Sequence, residues 1–377
     1  QPELVHCNDW QTGLVPALLS LEDQRPATLF SVHNLAYQGL FPAQTFTTLD
    51  LPDALWSPES MEFYNMLSFI KGGIAHADWI TAVSPTYASE ITDDALGYGL
   101  AGLLRHRSAE LSGILNGVDE DIWSPTSDRF IERKYDVHTL QNKLFNKFTL
   151  QRDLGLSIAS QPLLLGYVGR IVEQKGVDLI LDILEELFKH PVQLVIAGTG
   201  DPALEERLRA AEQHYPRQLS VFTGYHEQLA HNIQAGADAL LMPSRYEPCG
   251  LNQMYSQLYG TVPIARRTGG LADTIVDFNQ ETINSHQATG FLFDSETPEA
   301  LLATCLGALS LFRNDRVDWW KMVIAGMKRD FSWTRSARSY VTLYEQLTQR
   351  RQHSDMDRRI ADLASTPGIA AASQALH

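Results

Sequence analysis

The chain has 377 residues, of which 44% are hydrophobic and 20% are charged, as is typical of a globular protein with two or three domains. Its formal net charge of −15 argues against a nucleic acid or an anionic membrane as the main partner, although local cations could still bind an anionic ligand. No apolar stretch reaches the roughly 18 residues of a bilayer span, and three cysteines without a CxxC motif favour a reducing compartment over a disulfide framework or a zinc ribbon.

The first 118 residues contain three predicted strands. These strands cover 3–7, 27–33 and 78–83, a helix covers 10–21, and Ser84 caps a second helix that has Pro85 at its first position. An open parallel sheet usually has more than three strands, and the chain begins at Gln1 rather than at Met. We therefore expect a Rossmann-like domain that is incomplete at its N-terminal side.

From Leu163 onward, short apolar runs alternate with amphipathic stretches. The runs predict strands at 163–168, 193–198, 220–225, 239–244 and 262–267, and the stretches predict helices at 177–188, 202–215, 226–236 and 249–259. Asp201 followed by Pro202 is a typical helix start. Strands that alternate with helices predict right-handed crossovers and a parallel sheet. We assign this second domain to 119–332.

The segment 333–350 is a predicted amphipathic helix. Four of its residues, Ala337, Tyr340, Val341 and Leu343, are placed to pack against the protein. After this helix the composition changes to small and polar residues without a strong period. We therefore expect 351–377 to be a loosely ordered tail.

Two cations follow the first strand of the second domain, and ligands of open parallel sheets bind beyond the carboxyl ends of the strands. Arg170 and Lys175 flank the start of the helix at 177–188, where the backbone dipole is also positive. This arrangement predicts a site for a phosphate or diphosphate leaving group. A pair of solvated surface cations is the alternative interpretation.

Glu247 lies between the fourth strand of this domain and its helix, in the segment SRYEPCGL at 244–251. The nearby helix N-terminus favours an ionised carboxylate, which can bind sugar hydroxyls or stabilise positive charge that develops on a sugar ring. A helix cap is the alternative role. Cys249 is predicted to begin the helix, where a thiol would be partly exposed, but a buried structural cysteine is the commoner role and is favoured over catalysis.

Other candidates also follow strands. Gly269 and Gly270 bring bare backbone amides to a helix start, where they can approach a phosphate. In the first domain, Asp9 follows the strand at 3–7, and His33 lies at the end of the strand at 27–33. These positions place both side chains at the ligand-binding edge of the first sheet.

The segment GTGDPA at 198–203 fits the dinucleotide-binding pattern G-x-G-x-x-A after a strand. It belongs to the second strand–helix unit of its domain rather than to the first, and Glu227 lies too late to be the acidic residue that binds a ribose. Contact with a nucleotide is still a plausible role for this turn. A nicotinamide-dependent dehydrogenase is the weakest interpretation.

A series of motifs resembles the bacterial glycogen synthase and plant starch synthase family. The matching segments are HCNDWQTGLVPALL, SVHNLAYQG, HADWITAVSPTYASEI, ILNGVDEDIWSP, GRIVEQKGVDLI, GTGDP, GYHE, SRYEPCGLNQ, RRTGGLAD and FSW at 331–333. They occur in the order of the family and cover about residues 2–349.

The resemblance implies an α/β fold of the GT-B type, with two facing Rossmann-like domains and a last helix that crosses back to the first domain. It implies a retaining hexosyltransferase that moves glucose from ADP-glucose to the non-reducing end of an α-1,4-glucan, a glycogen or starch primer. No metal or further cofactor is implied. The implied location is the bacterial cytoplasm, or the plastid stroma in a plant or an alga.

The resemblance also implies a role for each candidate residue. Arg170 and Lys175 hold the diphosphate, and Glu247 faces the donor glucose. His33 and Asp9 lie on the sugar and acceptor side. The remaining donor-site residues are Asn116 at the domain junction, Tyr225 near the nucleobase, Cys249, Gly250 and Leu251 around the glucose, and Thr268, Gly269 and Gly270, which contact phosphate or sugar through the backbone.

The chain departs from related patterns at two places. Tyr255 stands where many two-domain glycosyltransferases carry a second glutamate, which is also lacking in the glycogen and starch synthase branch. The family's N-terminal K-x-G-G-L loop, which reaches the donor phosphates, has no counterpart, because Lys71-Gly72-Gly73 lies in a helical stretch. If the 377 residues are the whole protein, we expect little or no transfer. A noncatalytic nucleotide- or glucan-binding remnant is then the alternative, followed by another GT-B glycosyltransferase such as a sucrose synthase or a phosphorylase.

Overall fold

The computed structural model describes residues 2–365 and divides them into two compact units. Residues up to Ile114 pack with the described residues from Ser336 onward, and Leu115–Arg335 form the second unit. The predicted boundaries at 118 and 332 lie close to these divisions. No helix among the described residues is both long enough and apolar enough to cross a membrane.

Seven strands form two sheets in the described part of the first unit. They are β1 (Leu4–Asn8), β2 (Ala27–Val32), β3 (Leu40–Pro42), β4 (Glu62–Phe63), β5 (Met66–Ser68), β6 (Trp79–Ala82) and β7 (Leu111–Gly113). A parallel sheet has the order β1-β2-β6-β7, and a small antiparallel sheet has the order β3-β5-β4. The three predicted strands are β1, β2 and β6. The fourth parallel strand was missed because its three residues, one of them glycine, are too few to show a period.

The first unit also contains five short helices among its described residues before Ile114. They are α1 (Leu14–Leu19), α2 (Ala43–Thr48), α3 (Phe69–His76), α4 (Pro85–Glu90) and α5 (Ala101–His106). The Ser84 hydroxyl accepts a hydrogen bond from the backbone N–H of Tyr87, 3.1 Å away, which confirms the predicted cap of α4. The helix predicted at 10–21 is divided by Gly13 into a 3-10 turn and α1, since glycine is a poor helix former.

The sheet of the second unit is fully parallel and has the order β10-β9-β8-β11-β12-β13. Its strands are β8 (Leu163–Val168), β9 (Val192–Gly198), β10 (Leu219–Thr223), β11 (Ala239–Met242), β12 (Val262–Arg266) and β13 (Phe291–Phe293). Leu163 and Leu165 belong to one buried cluster and Leu164 to another, so both faces of the sheet are covered. The parallel sheet and its first five strands were predicted correctly, whereas β13 is a three-residue run that shows no period.

The helices of the second unit cover the two faces of this sheet. They are α6 (Lys143–Asp153), α7 (Val177–Leu187), α8 (Pro202–His214), α9 (Glu227–Gly236), α10 (Asn252–Leu258), α11 (Gly269–Thr274), α12 (Gln280–Asn284), α13 (Pro298–Asn314) and α14 (Arg316–Met327). The Asp201 carboxylate accepts hydrogen bonds from the N–H groups of Ala203 and Leu204, as the predicted helix start requires. By contrast, α10 begins at Asn252 and not at Cys249, because the chain turns through Gly250, whose φ is +69°.

The last helix, α15 (Trp333–Ser365), is longer than predicted. The loosely ordered tail expected from 351 is therefore wrong for 351–365, where no glycine or proline interrupts the helix, and 366–377 lie outside the described residues. Ala337 and Val341 are exposed rather than packed, whereas Tyr340 and Leu343 pack as predicted, and Leu347 is buried together with Leu343. These two leucines lie against β2, in a cluster with Ala27 and Leu29.

Asp78 joins β2 to β6 in the first sheet. Its carboxylate accepts two hydrogen bonds from the Arg25 guanidinium, at 2.6 and 2.7 Å, and one from the backbone N–H of Thr28 at 2.7 Å. Burial alone would raise the pKa of Asp78, but the hydrogen bonds from Arg25 and the positive charge of Arg25 hold it below its ordinary value. The carboxylate is thus charged in the folded state and stabilises the sheet.

Asp78→Asn is expected to destabilise the fold at pH 7 by about 1.5–3 kcal/mol, the usual range for hydrogen bonds to a charged group. Because the folded pKa lies below the unfolded one, this stabilisation is present above the unfolded pKa and is lost as the pH falls through the folded pKa. Thermal unfolding followed by circular dichroism at several pH values would measure it. The two midpoints should differ at neutral pH and converge only below pH 3.8, the ordinary pKa of the group. A difference that stays constant as the pH falls below 3.8 would contradict a contribution from the ionised carboxylate.

Candidate functional site

Loops that follow β8, β11 and β12 are bonded to one another at the carboxyl edge of the second sheet. The backbone N–H of Arg245 donates to the carbonyl of Gln174, 2.8 Å away, and the Gln174 amide donates to the carbonyl of Tyr246 at 3.1 Å. Arg266, at the end of β12, donates from its Nε to the carbonyl of Ser244 at 2.9 Å. These three loops therefore form one hydrogen-bonded surface, which we call the carboxyl-edge surface.

Glu247 and Lys175 form an ion pair on the carboxyl-edge surface. The Nζ of Lys175 lies 2.5 Å from the Oε2 of Glu247, and the Ser244 hydroxyl donates to the same oxygen at 2.9 Å. Only 20% of the Lys175 side chain and 8% of the Glu247 side chain are exposed. Among the described residues, none donates a hydrogen bond to the Oε1 of Glu247. One carboxylate oxygen is thus fixed by a cation, and the other can receive a ligand hydroxyl.

Arg170 lies before the same helix, α7, as Lys175. It is exposed, and its Nη2 donates to the side-chain oxygen of Gln174 at 2.7 Å. Gly176, between Lys175 and α7, has a φ of +68°, and a β-carbon there would clash with the carbonyl of Pro243. This close approach holds the loop with both cations against the end of β11. Two cations and a helix N-terminus can stabilise a diphosphate in this position.

The glycine pair at the start of α11 packs against the loop of Glu247 instead of presenting free amides. The N–H of Gly270 donates to the carbonyl of Glu247 at 3.0 Å. A β-carbon at Gly269 would clash with this carbonyl, and one at Gly270 would clash with the carbonyl of Cys249. Thr268 is fully buried beside them. The prediction that the Gly270 amide binds phosphate is therefore corrected: the pair fixes the backbone that carries Glu247.

Cys249 is buried, in agreement with the favoured structural role, and it is not the partly exposed first residue of the helix. Its side chain is 5% exposed, and burial raises the pKa of the thiol to about 12, although a hydrogen bond from the backbone N–H of Asn116 opposes the rise. The structure thus brings Asn116 next to Cys249. The two residues after Cys249 are not part of this buried contact. Gly250 forms the turn before α10, and Leu251 is 38% exposed. A thiol that stays protonated at neutral pH is a packing group rather than a nucleophile.

Tyr225 follows β10 at the same edge of the sheet. Its side chain is 88% exposed, and the preceding Gly224 donates its N–H to the carbonyl of Gly198 at 2.7 Å. The backbone at Tyr225 therefore lies next to the end of β9, and a planar ligand can stack on the exposed ring.

The GTGDPA turn after β9 already holds carboxylates of the chain itself. The Oε1 of Glu205 accepts hydrogen bonds from the N–H of Gly200 at 2.9 Å and from the Thr199 hydroxyl at 3.1 Å. The Asp201 carboxylate accepts a hydrogen bond from the N–H of Ala203 at 2.7 Å. A diphosphate on these amides would meet two negative charges, which argues against a dinucleotide site and a dehydrogenase.

Asp9 and His33 come together at the carboxyl edge of the first sheet. The Asp9 carboxylate accepts a hydrogen bond from the backbone N–H of His33 at 2.8 Å, and the His33 Nε2 lies 2.9 Å from the side-chain oxygen of Asn8. Asp9 has a φ of +57°, a strained value for a residue other than glycine. The strain and the bonds fix both side chains at the edge where ligands of parallel sheets bind.

An aromatic stack near the start of the second unit was missed by the sequence analysis. The Trp123 indole lies between the rings of His231 and Tyr255, at centroid distances of 3.7 and 4.1 Å. The His231 Nδ1 is 2.7 Å from the carboxylate of Asp128, which also accepts a hydrogen bond from Tyr259 at 2.6 Å. Tyr255 thus has a packing role here. No local pattern could reveal the stack, because Trp123 and Asp128 lie more than 100 residues before the other members.

A cavity of about 300 Å³ opens at the other end of the second sheet. Its lining includes Ser160, Asp238 and Gly260, which precede β8, β11 and β12. It therefore lies at the amino edge of the sheet and does not belong to the carboxyl-edge surface. No group of three or more His, Cys, Asp or Glu side chains in the described part of the chain is arranged to hold a metal ion.

Comparisons with known proteins give matches to both units of the chain. The family model described as "Starch synthase catalytic domain" matches residues 1–106, and the model described as "Glycosyl transferases group 1" matches residues 155–316. The solved catalytic domain of starch synthase IV from Arabidopsis thaliana, bound to ADP and acarbose, has a TM-score of 0.86 and 34% identity, over 93% of this chain and 73% of that one. Sucrose-phosphate synthase from Thermosynechococcus elongatus, at 20% identity and a TM-score of 0.59, shares the fold.

Curated relatives are similar over most of the chain. Glycogen synthase 2 of Nitrosococcus oceani is 51% identical over 350 residues, which cover 93% of this chain and 71% of the relative. Glycogen synthase 1 of Methylococcus capsulatus is 52% identical over 346 residues, which cover 92% of this chain and 70% of the relative. With this identity, and with an edge that combines two cations and a carboxylate, the chain belongs to the glycogen and starch synthase family of GT-B glucosyltransferases.

Proposed function

We propose that the chain transfers glucose from ADP-glucose to the 4-hydroxyl at the non-reducing end of an α-1,4-glucan, with retention of configuration. The observation that carries the proposal is the Lys175–Glu247 pair beside Arg170, because it combines phosphate-binding cations with a carboxylate that can bind a sugar. The ADP and acarbose in the Arabidopsis structure support a nucleotide and a glucan as ligands.

In this reaction the bond between C1 of the glucose and the diphosphate oxygen breaks, and a bond from C1 to the acceptor oxygen forms on the same face. The acceptor proton leaves with ADP, so the overall charge balances. In the transition state the sugar ring becomes positive and the departing diphosphate becomes more negative. Arg170 and Lys175 stabilise the diphosphate, and Glu247 holds the sugar through its Oε1 while Lys175 fixes its Oε2.

Two cations at a helix N-terminus supply the charge that a divalent metal provides in other transferases, so we infer that no metal is needed. On the first unit, His33 and Asp9 are the groups assigned to the acceptor side, and the bond between them sets the orientation of the histidine backbone. Tyr225 is the candidate for stacking on the adenine, since its ring is exposed at the donor edge.

The native protein, assayed with glycogen, should release ADP from ADP-glucose and extend the glucan. UDP-glucose is expected to react more slowly, and the new linkages should be cleaved by an amylase specific for α-1,4 bonds. ADP release without incorporation into glucan, or nucleotide and glucan binding without any turnover, would overturn the proposal. The second result would support a noncatalytic binding protein.

A further inference from the structure

The cavity of about 300 Å³ at the amino edge of the second sheet has no part in the function proposed above. We call it the amino-edge cavity. It is lined by the first residues of α6 and the turn before them, by the residues that precede β8, β11 and β12, and by the junction of α13 and α14. All of these elements belong to the second unit. Ligand pockets usually measure about 300–1,000 Å³, so the amino-edge cavity has room for a small organic molecule.

One part of the cavity wall is apolar. It consists of three aromatic rings and two leucines, which are Phe312, Trp319, Trp320, Leu140 and Leu144. Trp319 is fully buried and contacts the Phe312 ring edge-on, with 5.0 Å between the ring centroids, so this side of the wall is fixed in the core. Trp320 and Leu144 are 37% and 41% exposed. An apolar ligand that covered these two side chains would be stabilised by the removal of their surface from water.

The other part of the wall carries more positive than negative charge. The lining contains three cations, Lys143, Lys147 and Arg316, and one carboxylate, Asp238. Asp238 is already paired, since its Oδ2 lies 2.6 Å from the Nζ of Lys147. Burial lowers the pKa of Lys143 to about 7, so this ammonium group carries only part of its charge at neutral pH. Arg316 is always charged, and it is therefore the uncompensated cation of the lining.

The guanidinium of Arg316 is held in a position that suits an anion. Its Cζ lies 3.7 Å from the centroid of the Phe312 ring. Stacking on a ring face leaves the five N–H donors, which lie in the guanidinium plane, available for hydrogen bonds. Among the described residues, none accepts a hydrogen bond from Arg316, and no carboxylate forms an ion pair with it. These donors can therefore form two parallel hydrogen bonds with the carboxylate of a ligand.

We propose that the amino-edge cavity binds a small organic carboxylate, whose charged end bonds to Arg316 and whose aromatic or aliphatic body lies against Trp320 and Leu144. The cavity and Glu247 lie at opposite edges of the same sheet, so this ligand is distinct from the nucleotide-sugar. A neutral sugar would leave the charge of Arg316 unpaired. A nucleoside diphosphate would bring several negative charges to one uncompensated cation, and inorganic phosphate would leave the apolar wall uncovered.

The probes for the test are 1-naphthylacetate and 1-naphthylacetamide, which have the same aromatic body and differ in charge. Isothermal titration calorimetry of the native protein should show one site for the acetate, with a Kd at least about tenfold below that of the amide. Arg316→Gln should raise the Kd of the acetate about tenfold or more, as expected for lost hydrogen bonds to a charged group, and should leave the Kd of the amide unchanged. Trp320→Leu should weaken both probes alike, because it removes an aromatic wall that both would contact.

Arg313→Gln is the matched control. Arg313 is also an exposed arginine, near the end of α13, but it does not line the cavity. This variant should bind both probes as the wild type does, and the formal net charge of −15 disfavours binding of anions elsewhere on the surface. Both arginines are exposed, so both variants should keep the thermal midpoint of the wild type.

Equal affinity of the native protein for the two probes would overturn the inference, as would the absence of saturable binding of the acetate. The same holds if Arg316→Gln and Arg313→Gln weaken the acetate equally, because a general surface charge would then be its partner. Displacement of the acetate by ADP would locate the probe at the carboxyl-edge surface and would likewise contradict a site at the amino edge. Since no step of this test depends on transfer of glucose, the proposed function and this inference can fail separately.

Discussion

Glu247→Gln is expected to lower kcat for glucosyl transfer by about 100- to 1000-fold, the usual cost of removing one preorganised electrostatic group from an active site. Glutamine keeps the size of the side chain and an oxygen that can accept from Lys175, so the variant removes the charge and little else. The carboxylate is 8% exposed and fixed at 2.5 Å from Lys175. Its charge therefore acts on the sugar ring with little screening by water. Initial rates of ADP release, measured against ADP-glucose and glycogen, give kcat and both KM values.

Glu186→Gln is the matched control, because Glu186 also pairs with a lysine, Lys189, but both side chains are more than half exposed. This variant should keep the activity of the wild type, since exposed pairs contribute little. If Glu247→Gln raised only the KM for ADP-glucose and left kcat unchanged, Glu247 would bind the donor equally in the ground state and the transition state. That result would contradict a role in stabilising the developing charge.

The residues of the proposed donor site could be selected from the sequence because their common surface depends on chain order. Leu163–Val168 is a continuous apolar run, as a strand buried on both faces requires. Once such strands are located, the rule that ligands bind at their carboxyl ends selects the residues that follow them. Arg170, Lys175 and Glu247 were found in this way, and the structure places them on one surface.

The use of each group at that edge could not be predicted in the same way. A Gly-Gly turn suits a bound phosphate and a closely packed backbone equally, since both need the absence of a β-carbon. The structure shows that the turn is packed against backbone. The carbonyls of Glu247 and Cys249, more than 20 residues earlier in the chain, leave no space for a β-carbon at the two glycines. The same holds for the Cys249 thiol, which accepts a hydrogen bond from the backbone N–H of the distant Asn116.

Buried lysines illustrate the same limit. Lys143 lies in α6, which has the polar composition of a surface helix. In the structure its ammonium group donates to the carbonyl of Ala235 at 2.9 Å and to the Thr261 hydroxyl at 2.7 Å. These partners lie about 90 and 120 residues away along the chain. Hydrophobic periodicity shows which face of a helix is buried on average. It cannot identify a single lysine whose ammonium group bonds to the ends of other helices and strands.

Lys175→Met is expected to lower kcat by about 100-fold or more, because the leaving diphosphate loses a cation at the point where its negative charge increases. Methionine keeps the length of the side chain without its charge. Arg170→Met should have a smaller effect, since Arg170 is exposed and bonded to Gln174 rather than to Glu247. Lys189→Met, in the exposed pair, is the control and should be fully active. Rates with saturating ADP-glucose measure all three.

The double variant Lys175→Met/Glu247→Gln then tests whether the two residues act as one unit. Groups that act together in a transition state have effects that do not multiply. Since the Lys175 ammonium fixes one oxygen of Glu247, loss of either partner should already remove most of the joint effect. We therefore expect the double variant to be little slower than the slower single variant. Effects that multiply fully would mean that the lysine serves the diphosphate and the glutamate serves the sugar independently, and that their ion pair does not contribute to catalysis.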